Sequence, residues 1–253
     1  CYAQRVPHEL AQLADLVLNN EEKKHLLEIV KGLSLQAPRF VTASEANGAP
    51  KNSANFWGKN QSHISTSIGR VRSLVKIQDG CHSHCAYCIV PKVRPREYSL
   101  PAFQILGDIK QKVAMGYRET VLTGTKVGCY KDTILSASEG AGAGLGDLIE
   151  CILHNTTIER LRLSSLQPQE ISSEFLALWQ DTGEGSRLCR HFHLALQSGS
   201  APVLQRMRRR YSLDDYQRAI NLIREAIPQV AITTDVMVGF PGESDEEFEQ
   251  SYR

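Results

Sequence analysis

Asp79-Gly-Cys-His-Ser-His-Cys-Ala-Tyr-Cys-Ile-Val-Pro91 decides how this chain is read. Cys81, Cys85 and Cys88 stand in C-x3-C-x2-C spacing, so one short loop can carry three thiols to one place. Thiolates are soft ligands that select iron–sulfur clusters, zinc or copper(I). Three is one fewer than the four-cysteine set of an electron-transfer 4Fe-4S cluster. A cluster held here would keep one iron without a protein ligand, open to a reactant. Zinc completed by His82 or His84 is the competing reading, that of a non-catalytic metal-binding module. Structural zinc usually shows paired C-x2-C or H-x3-H halves, and no second half is visible.

The other cysteines, Cys1, Cys129, Cys151 and Cys189, are isolated along the chain. An odd total of seven with no secretory signal argues against a disulfide scaffold and for a reducing, cytoplasmic compartment. Among 253 residues, 29 Lys and Arg nearly balance 28 Asp and Glu, and 42% are apolar, values that exclude a disordered or collagen-like chain. The longest unbroken apolar run, Cys85 to Val90, is far short of the roughly 20 residues needed to cross a bilayer. No membrane partner is expected. The chain starts at Cys1 and stops at Arg253, within what reads as the first turns of a helix, so a fragment cut at both ends is expected.

On either side of the cysteine loop the pattern differs. Residues 1–33 read as a short helix from Pro7, a short apolar strand at Leu16-Val-Leu18, and a helical stripe of Leu26, Leu27, Ile29, Val30 and Leu33. Residues 34–70, rich in Ser, Asn, Ala and Gly with weak periodicity, read as a linker. Residues 71–253 alternate strand and helix. Strands are predicted at Ser73–Ile77, Glu119–Thr123, Arg160–Ser164, Phe192–Leu196 and Val230–Val238. A helix from Pro101 carries Leu106, Ile109 and Val113 and ends at Gly116. Another opens at a Ser212/Asp215 capping box, carries Tyr216, Ala219, Ile220, Ile223 and Ile227, and stops at Pro228. Gly140-Ala-Gly-Ala-Gly-Leu-Gly146 reads as a flexible loop and not as a phosphate-binding turn that opens a helix. Repeated strand–helix units build a parallel sheet with right-handed crossovers, which places chemistry at the C-terminal strand ends. The cysteines follow the first strand, Gly124 the second, Ser165 the third, Gln197 the fourth and Gly239 the fifth.

C-x3-C-x-aromatic-C after a strand resembles the signature of the radical S-adenosylmethionine (SAM) enzymes. The loop through Cys88-Ile-Val-Pro91, Arg94 and Glu97 is similar to the cluster loop of the tRNA methylthiotransferases. So are Leu122-Thr-Gly-Thr125, Arg162-Leu-Ser-Ser165, Leu196-Gln-Ser-Gly-Ser200, Arg206-Met-Arg-Arg-Arg-Tyr211 and Thr234-Asp-Val-Met-Val-Gly-Phe-Pro-Gly-Glu243. The subgroup acting on threonylcarbamoyladenosine in tRNA matches most nearly.

The resemblance implies an α/β fold, a partial (β/α)6 radical SAM barrel truncated before its last strand. Before it would come the C-terminal piece of a small α/β methylthiotransferase domain, in residues 1–33. It implies that Cys81, Cys85 and Cys88 hold a 4Fe-4S cluster whose open iron takes the amino and carboxylate groups of SAM. One electron would split the sulfonium bond, giving methionine and a 5′-deoxyadenosyl radical. The product would be methylthiolation at C2 of N6-threonylcarbamoyladenosine at position 37 of tRNA, with a second 4Fe-4S cluster in the full-length enzyme. A ribosomal-protein aspartate is the alternative substrate. The implied partners are tRNA and an electron donor such as a flavodoxin or ferredoxin.

Residue by residue, the resemblance puts Tyr87 over the SAM adenine, Gly124 and Thr125 at its methionine moiety, and Ser165, Gln197, Asp235 and Val238 among its further contacts. Simple packing is the alternative for Tyr87 and an ordinary turn for Gly124. Cys1 aligns with one ligand of the auxiliary cluster, whose remaining ligands are absent. Arg94, Arg208 and Arg209 are candidate tRNA contacts, with Lys92, Arg96, Arg206 and Arg210 nearby; solvated surface charge is the alternative. Cys129, Cys151 and Cys189 read as small core residues or free thiols. Pro95 stands where the family usually has glycine, so a locally altered loop is expected there.

Overall fold

The computed structural model describes residues 9, 16–18, 22–26, 28–29, 71–132, 143–180 and 187–253. The chain divides into two units, Cys1–Ile68 and Gly69–Arg253. In the first, Glu9 is helical and a 3-10 turn spans Glu22–His25, with Leu26, Glu28 and Ile29 helical beyond it. Leu16, Val17 and Leu18 form no strand, which corrects the expectation drawn from their apolarity. A strand requires a ladder partner, and none pairs with them among the described residues. Cys1 and the linker predicted at 34–70 lie outside the described residues.

The second unit is wound from parallel strands with helices between them. Strand β1 (Arg72–Asp79) pairs in parallel with β3 (Glu119–Gly124), and β3 with β4 (Arg160–Leu163). A two-residue strand, β2 (Tyr98–Ser99), runs antiparallel on the other edge of β1 and was not foreseen. After Leu163 the chain bends at Ser164, whose N–H still donates to Leu122 O at 3.0 Å, and resumes as β5 (Ser165–Leu166). Strand β5 pairs with β6 (His191–Leu194), and β6 with β7 (Ala231–Thr233), all parallel. The bend hands the chain from one neighbour to the next, so a continuous strand becomes two segments and the sheet curls as a half-barrel. Strand β7 is shorter than the predicted Val230–Val238; beyond Thr233 only an isolated bridge, Gln197 to Val236, continues the pairing.

Alternation along the strands separates two faces. Val75, Ile77, Leu122, Leu161, Leu163, Phe192 and Leu194 are buried under helices, whereas Arg72, Leu74, Lys76, Arg160, Arg162, His191 and His193 line the concave side. Helix α2 (Ala102–Ala114), preceded by the four-residue α1 (Val90–Val93), buries Ala102, Ile105 and Ile109 and packs Leu106 and Val113 partly. Gly116 ends it at φ 90°. Gly116 N–H donates to Val113 O at 2.9 Å and Tyr117 N–H to Lys112 O at 3.1 Å, the paired bonds of a left-handed helix cap.

Helix α3 (Leu145–Asn155) corrects the reading of the glycine-rich stretch. Of its described residues, Ala143 bridges to Asp132, Gly144 directly precedes the helix and donates to Asp147 Oδ2 at 2.6 Å, and Leu145 and Gly146 are helical. Leu145, Leu148, Ile149 and Ile152 recur at helical spacing and are buried. Helices α4 (Ser173–Ala177) and α5 (Ala201–Arg206) follow β5 and β6. Helix α6 (Leu213–Ala226) has the predicted Ser212/Asp215 capping box and buries Tyr216, Ala219 and Ile223; α7 (Asp245–Tyr252) follows β7. Among the described residues no helix is long and apolar enough to cross a membrane.

Candidate functional site

The cysteine loop hangs from the C-terminal end of β1, and glycine makes that exit possible. Gly80 has φ 79°, and a Cβ there would stand 2.0 Å from Arg96 O, so the chain turns where another part of the loop touches its backbone. Asp79 anchors the turn. Its Oδ1 accepts from Gly80 N–H (2.9 Å), Arg94 Nη1 (2.9 Å) and Thr125 Oγ1 (3.0 Å), and Lys76 pairs with Oδ2. Burial pushes the Asp79 carboxyl up, but Lys76, the Gly80 amide, Arg94 and Thr125 outweigh it and hold the pKa at about 2. Below this, Glu97 grips the loop: its Oε1 accepts from His82 N–H at 2.6 Å, and its Oε2 lies 3.3 Å from His82 Nδ1.

Cys81 is buried, and Cys85 and Cys88 are half-buried. A turn at Ala86-Tyr87 is closed by Cys88 N–H donating to Cys85 O at 3.1 Å. Ser83 N–H lies 3.3 Å from Cys81 Sγ, and Arg209 Nη1 lies 3.5 Å from Cys85 Sγ. These donors suit sulfurs that carry negative charge. Among the described residues, no three His, Cys, Asp or Glu side chains gather around one point as the ligands of a single ion. A 4Fe-4S cube takes each thiolate on a separate iron, and the donor set fits it. His82 is engaged by Glu97, and His84 is exposed.

Two other strand-end segments meet this loop. Tyr87 packs edge-on against Phe240 of the Gly239-Phe-Pro-Gly segment (6.4 Å, 83°) and accepts from Arg209 Nη1 at 3.2 Å. Burial raises the Tyr87 pKa, Arg209 opposes it, and the neighbouring Cys85 and Cys88 add to the rise. At the next strand, Gly124 is required by the chain itself, because a Cβ would sit 2.8 Å from Gln78 O. Lys126 N–H donates to Gln78 Oε1 at 2.7 Å.

The remaining predicted residues are distributed around the concave rim. Ser165 is exposed on β5. Gln197 holds φ 70°, a strained conformation for a residue with a side chain, secured by its N–H to Asp235 O (2.9 Å) and by Met237 N–H to its carbonyl (2.8 Å). Asp235 is exposed and lies 3.3 Å from His193 Nε2. Thr233 Oγ1 bridges His193 Nδ1 and His191 Nε2, each at 3.1 Å, so a polar chain runs from within the sheet to Asp235. Val238 is 58% exposed. Arg208 is exposed with φ 57°, whereas Arg209 turns inward to the cysteine loop. Arg206 is held by Glu247 (3.0 and 2.6 Å) and Gly242 O.

Comparison with known proteins gives this arrangement a family. The family model of the Radical SAM superfamily matches residues 75–253. The chain belongs to the radical SAM superfamily. Membership brings SAM and a 4Fe-4S cluster as cofactors. Within the superfamily, the chain is 38% identical over 237 residues to the threonylcarbamoyladenosine tRNA methylthiotransferase MtaB of Chlamydia pneumoniae, covering 94% of this chain and 48% of that one. To MtaB of Thermotoga maritima it is 34% identical over 253 residues (99% and 54%). To the tRNA-2-methylthio-N(6)-dimethylallyladenosine synthase of Symbiobacterium thermophilum it is 40% identical over 185 residues (72% and 38%). The chain thus spans about half the length, or less, of these relatives. Among solved structures, the radical SAM methyltransferase TsrM from Kitasatospora setae, with cobalamin and a [4Fe-4S] cluster bound, superposes with a TM-score of 0.55 at 18% identity (71% of this chain, 31% of that one), which shows a shared radical SAM fold.

The sequence reading of this radical SAM core quoted Asp79, Glu97 and Tyr211 within its motifs but gave them no role, and it missed Glu170 and the His191–Thr233–His193 chain. Glu170 is half-buried, its pKa raised by desolvation, and its carboxylate fills the space above Gly128. The Asp-Gly before the first cysteine was the one local signal: a carboxylate beside a left-handed glycine caps a turn. The others depend on neighbours distant in sequence.

Proposed function

We propose that this chain is the catalytic core of a tRNA methylthiotransferase. Cys81, Cys85 and Cys88 hold the radical SAM cluster, and the reaction installs a methylthio group at C2 of N6-threonylcarbamoyladenosine at position 37 of tRNA. The observation that carries the proposal is three thiols on one glycine-hinged loop, braced by Ala86 N–H to Met207 O (3.0 Å) and by Arg209, at the open end of a half-barrel. The threonylcarbamoyladenosine reading is supported by two relatives of that name that match 94% and 99% of the chain at 38% and 34% identity.

When bound, the cluster supplies one electron for reductive cleavage of SAM; the protein binds, orients and excludes water. Tyr87 closes one side of the loop with Phe240 behind it and would cover the SAM adenine. Gly124 and Thr125 would sit at the methionine moiety of SAM, with the Thr125 hydroxyl held by Asp79. Ser165, Gln197, Asp235 and Val238 would make the further contacts to SAM. Arg208 offers an exposed cation to tRNA phosphates. Arg94 is tied to Asp79, so it steadies the loop. Residues 71–253 are the radical SAM core, preceded by a linker at 34–70 and by residues 1–33, the C-terminal piece of the small domain in which Cys1 would serve an auxiliary cluster. A flavodoxin or ferredoxin serves as electron donor.

The test is anaerobic reconstitution followed by metal analysis and SAM cleavage. About four irons per chain and reductant-dependent 5′-deoxyadenosine are expected, both lost in Cys85→Ala. One zinc and no iron would overturn the reading. Nucleoside analysis of tRNA from cells lacking the full-length gene should show the methylthio derivative of threonylcarbamoyladenosine missing; its persistence would overturn the substrate assignment.

A further inference from the structure

Arg209 lies in a run of cations, Arg206-Met-Arg-Arg-Arg210, that would ordinarily face water or nucleic acid. Its guanidinium instead turns into the protein. Nη1 stands 3.5 Å from Cys85 Sγ and 3.2 Å from Tyr87 Oη; Nε donates to Tyr211 Oη at 3.1 Å, and the guanidinium carbon lies 4.7 Å from the Tyr211 ring centroid. The Tyr211 hydroxyl is itself fixed, 2.7 Å from both Ala195 O and Leu196 O. The backbone is built for this inward turn. Helix α5 ends at Arg206, Arg208 adopts φ 57°, and Arg209 N–H returns to Leu204 O at 3.0 Å. The same corner takes Ala86 N–H on Met207 O. Two tyrosines and a left-handed residue thus hold one cation against one thiol.

We propose that Arg209 is a positioning residue for the Cys85 corner of the cluster: its guanidinium donates to the sulfur and raises the cluster's reduction potential. This rests on the reading of Cys85 as a cluster ligand. The reduced cluster carries one more negative charge than the oxidised one. A fixed cation and N–H donor at a ligating sulfur stabilises the reduced form more. Hydrogen bonds to the sulfurs and net charge are among the determinants of cluster potential. Arginine keeps its charge throughout the ordinary pH range, and its planar fork lets Nη1 reach Cys85 and Tyr87 while Nε holds Tyr211. Lysine would keep the charge and lose the fork.

The test is an EPR-monitored redox titration of the anaerobically reconstituted chain, without SAM or tRNA, alongside iron and sulfide content. Arg209→Gln and Arg209→Met are expected to retain iron and to need a potential more negative by about 59 mV, a tenfold change in a one-electron equilibrium. Arg209→Lys should shift less than half as far. Neutral variants that retain iron and titrate with the parent overturn the inference while leaving the cluster assignment standing. If both neutral variants lose the cluster, Arg209→Lys decides: a shifted potential or altered EPR line shape supports the contact, and parental values in both overturn it. A parent chain that takes up no iron overturns the cluster reading, and this inference with it.

Discussion

The amide of Ala86, between two of the three loop cysteines, donates to the carbonyl of Met207 at 3.0 Å. Residues separated by most of the domain in sequence are thereby joined where the cluster would sit. Met207 is buried and follows α5, so the loop is tied to the helical layer as well as to its own strand. Ala86→Pro removes this donor and restricts Cys85. Faster loss of iron to a chelator is expected than in the parent, with a similar far-UV circular dichroism spectrum. Equal rates of loss would show that the link does not hold the loop.

Gly80→Ala addresses the hinge. Alanine would hold φ 79° with its Cβ against Arg96 O. The strain and the clash together cost about 3 kcal/mol or more, which corresponds to roughly 6–12 °C in melting temperature for a domain of this size. Calorimetry of the apoprotein measures the cost, and iron loading should fall in parallel.

Glu119 is nearly buried where three strands begin, with Arg72, Arg160 and Arg162 around it. Burial pushes its pKa up, but the arginines pull it below the usual carboxylate range. Glu119→Gln leaves those cations without their shared partner. A loss of about 3 kcal/mol in denaturant unfolding is expected, the low end for a broken buried pair because Arg72 and Arg160 are half-exposed. The contacts of Arg209 at the other end of the strands should be unaffected, so the reduction potential should not move.

Asp79 sets an acid limit. Its pKa is about 2 in the folded chain against an ordinary 3.8. A depressed carboxylate contributes stability that is complete above its unfolded pKa and lost as pH falls through the folded one. In iron-free protein, the Asp79 contribution should disappear between about pH 4 and pH 2. Asp79→Asn should unfold more easily at pH 7 and show a shallower decline across that window. A parallel decline would remove Asp79 as the titrating group.

The sequence foretold β1, β3, β4 and the helices capped by Gly116 and Ser212/Asp215, because each has a local cause. Alternation defines a strand face, and a left-handed glycine ends a helix. It misled where a local signal needs a remote partner. Leu16–Leu18 is apolar but unpaired as a strand among the described residues, and the glycines before Leu145 obscured a helix whose buried stripe was present in the letters. Strand β2 and the shortened β7 depend on register with neighbours, which no window of sequence displays.

The letters alone determined which atoms can ligate, since thiol softness and loop length belong to residues 81–88 themselves. Only the tertiary structure decided what surrounds those atoms. Arg209 is one of four arginines in a five-residue segment, indistinguishable by composition, yet a left-handed Arg208 and the hydroxyls of Tyr87 and Tyr211 turn that one toward Cys85. A side chain's direction is fixed by backbone dihedrals and by the packing of elements far apart in the chain, so it emerges only when the sheet has curled and brought them together.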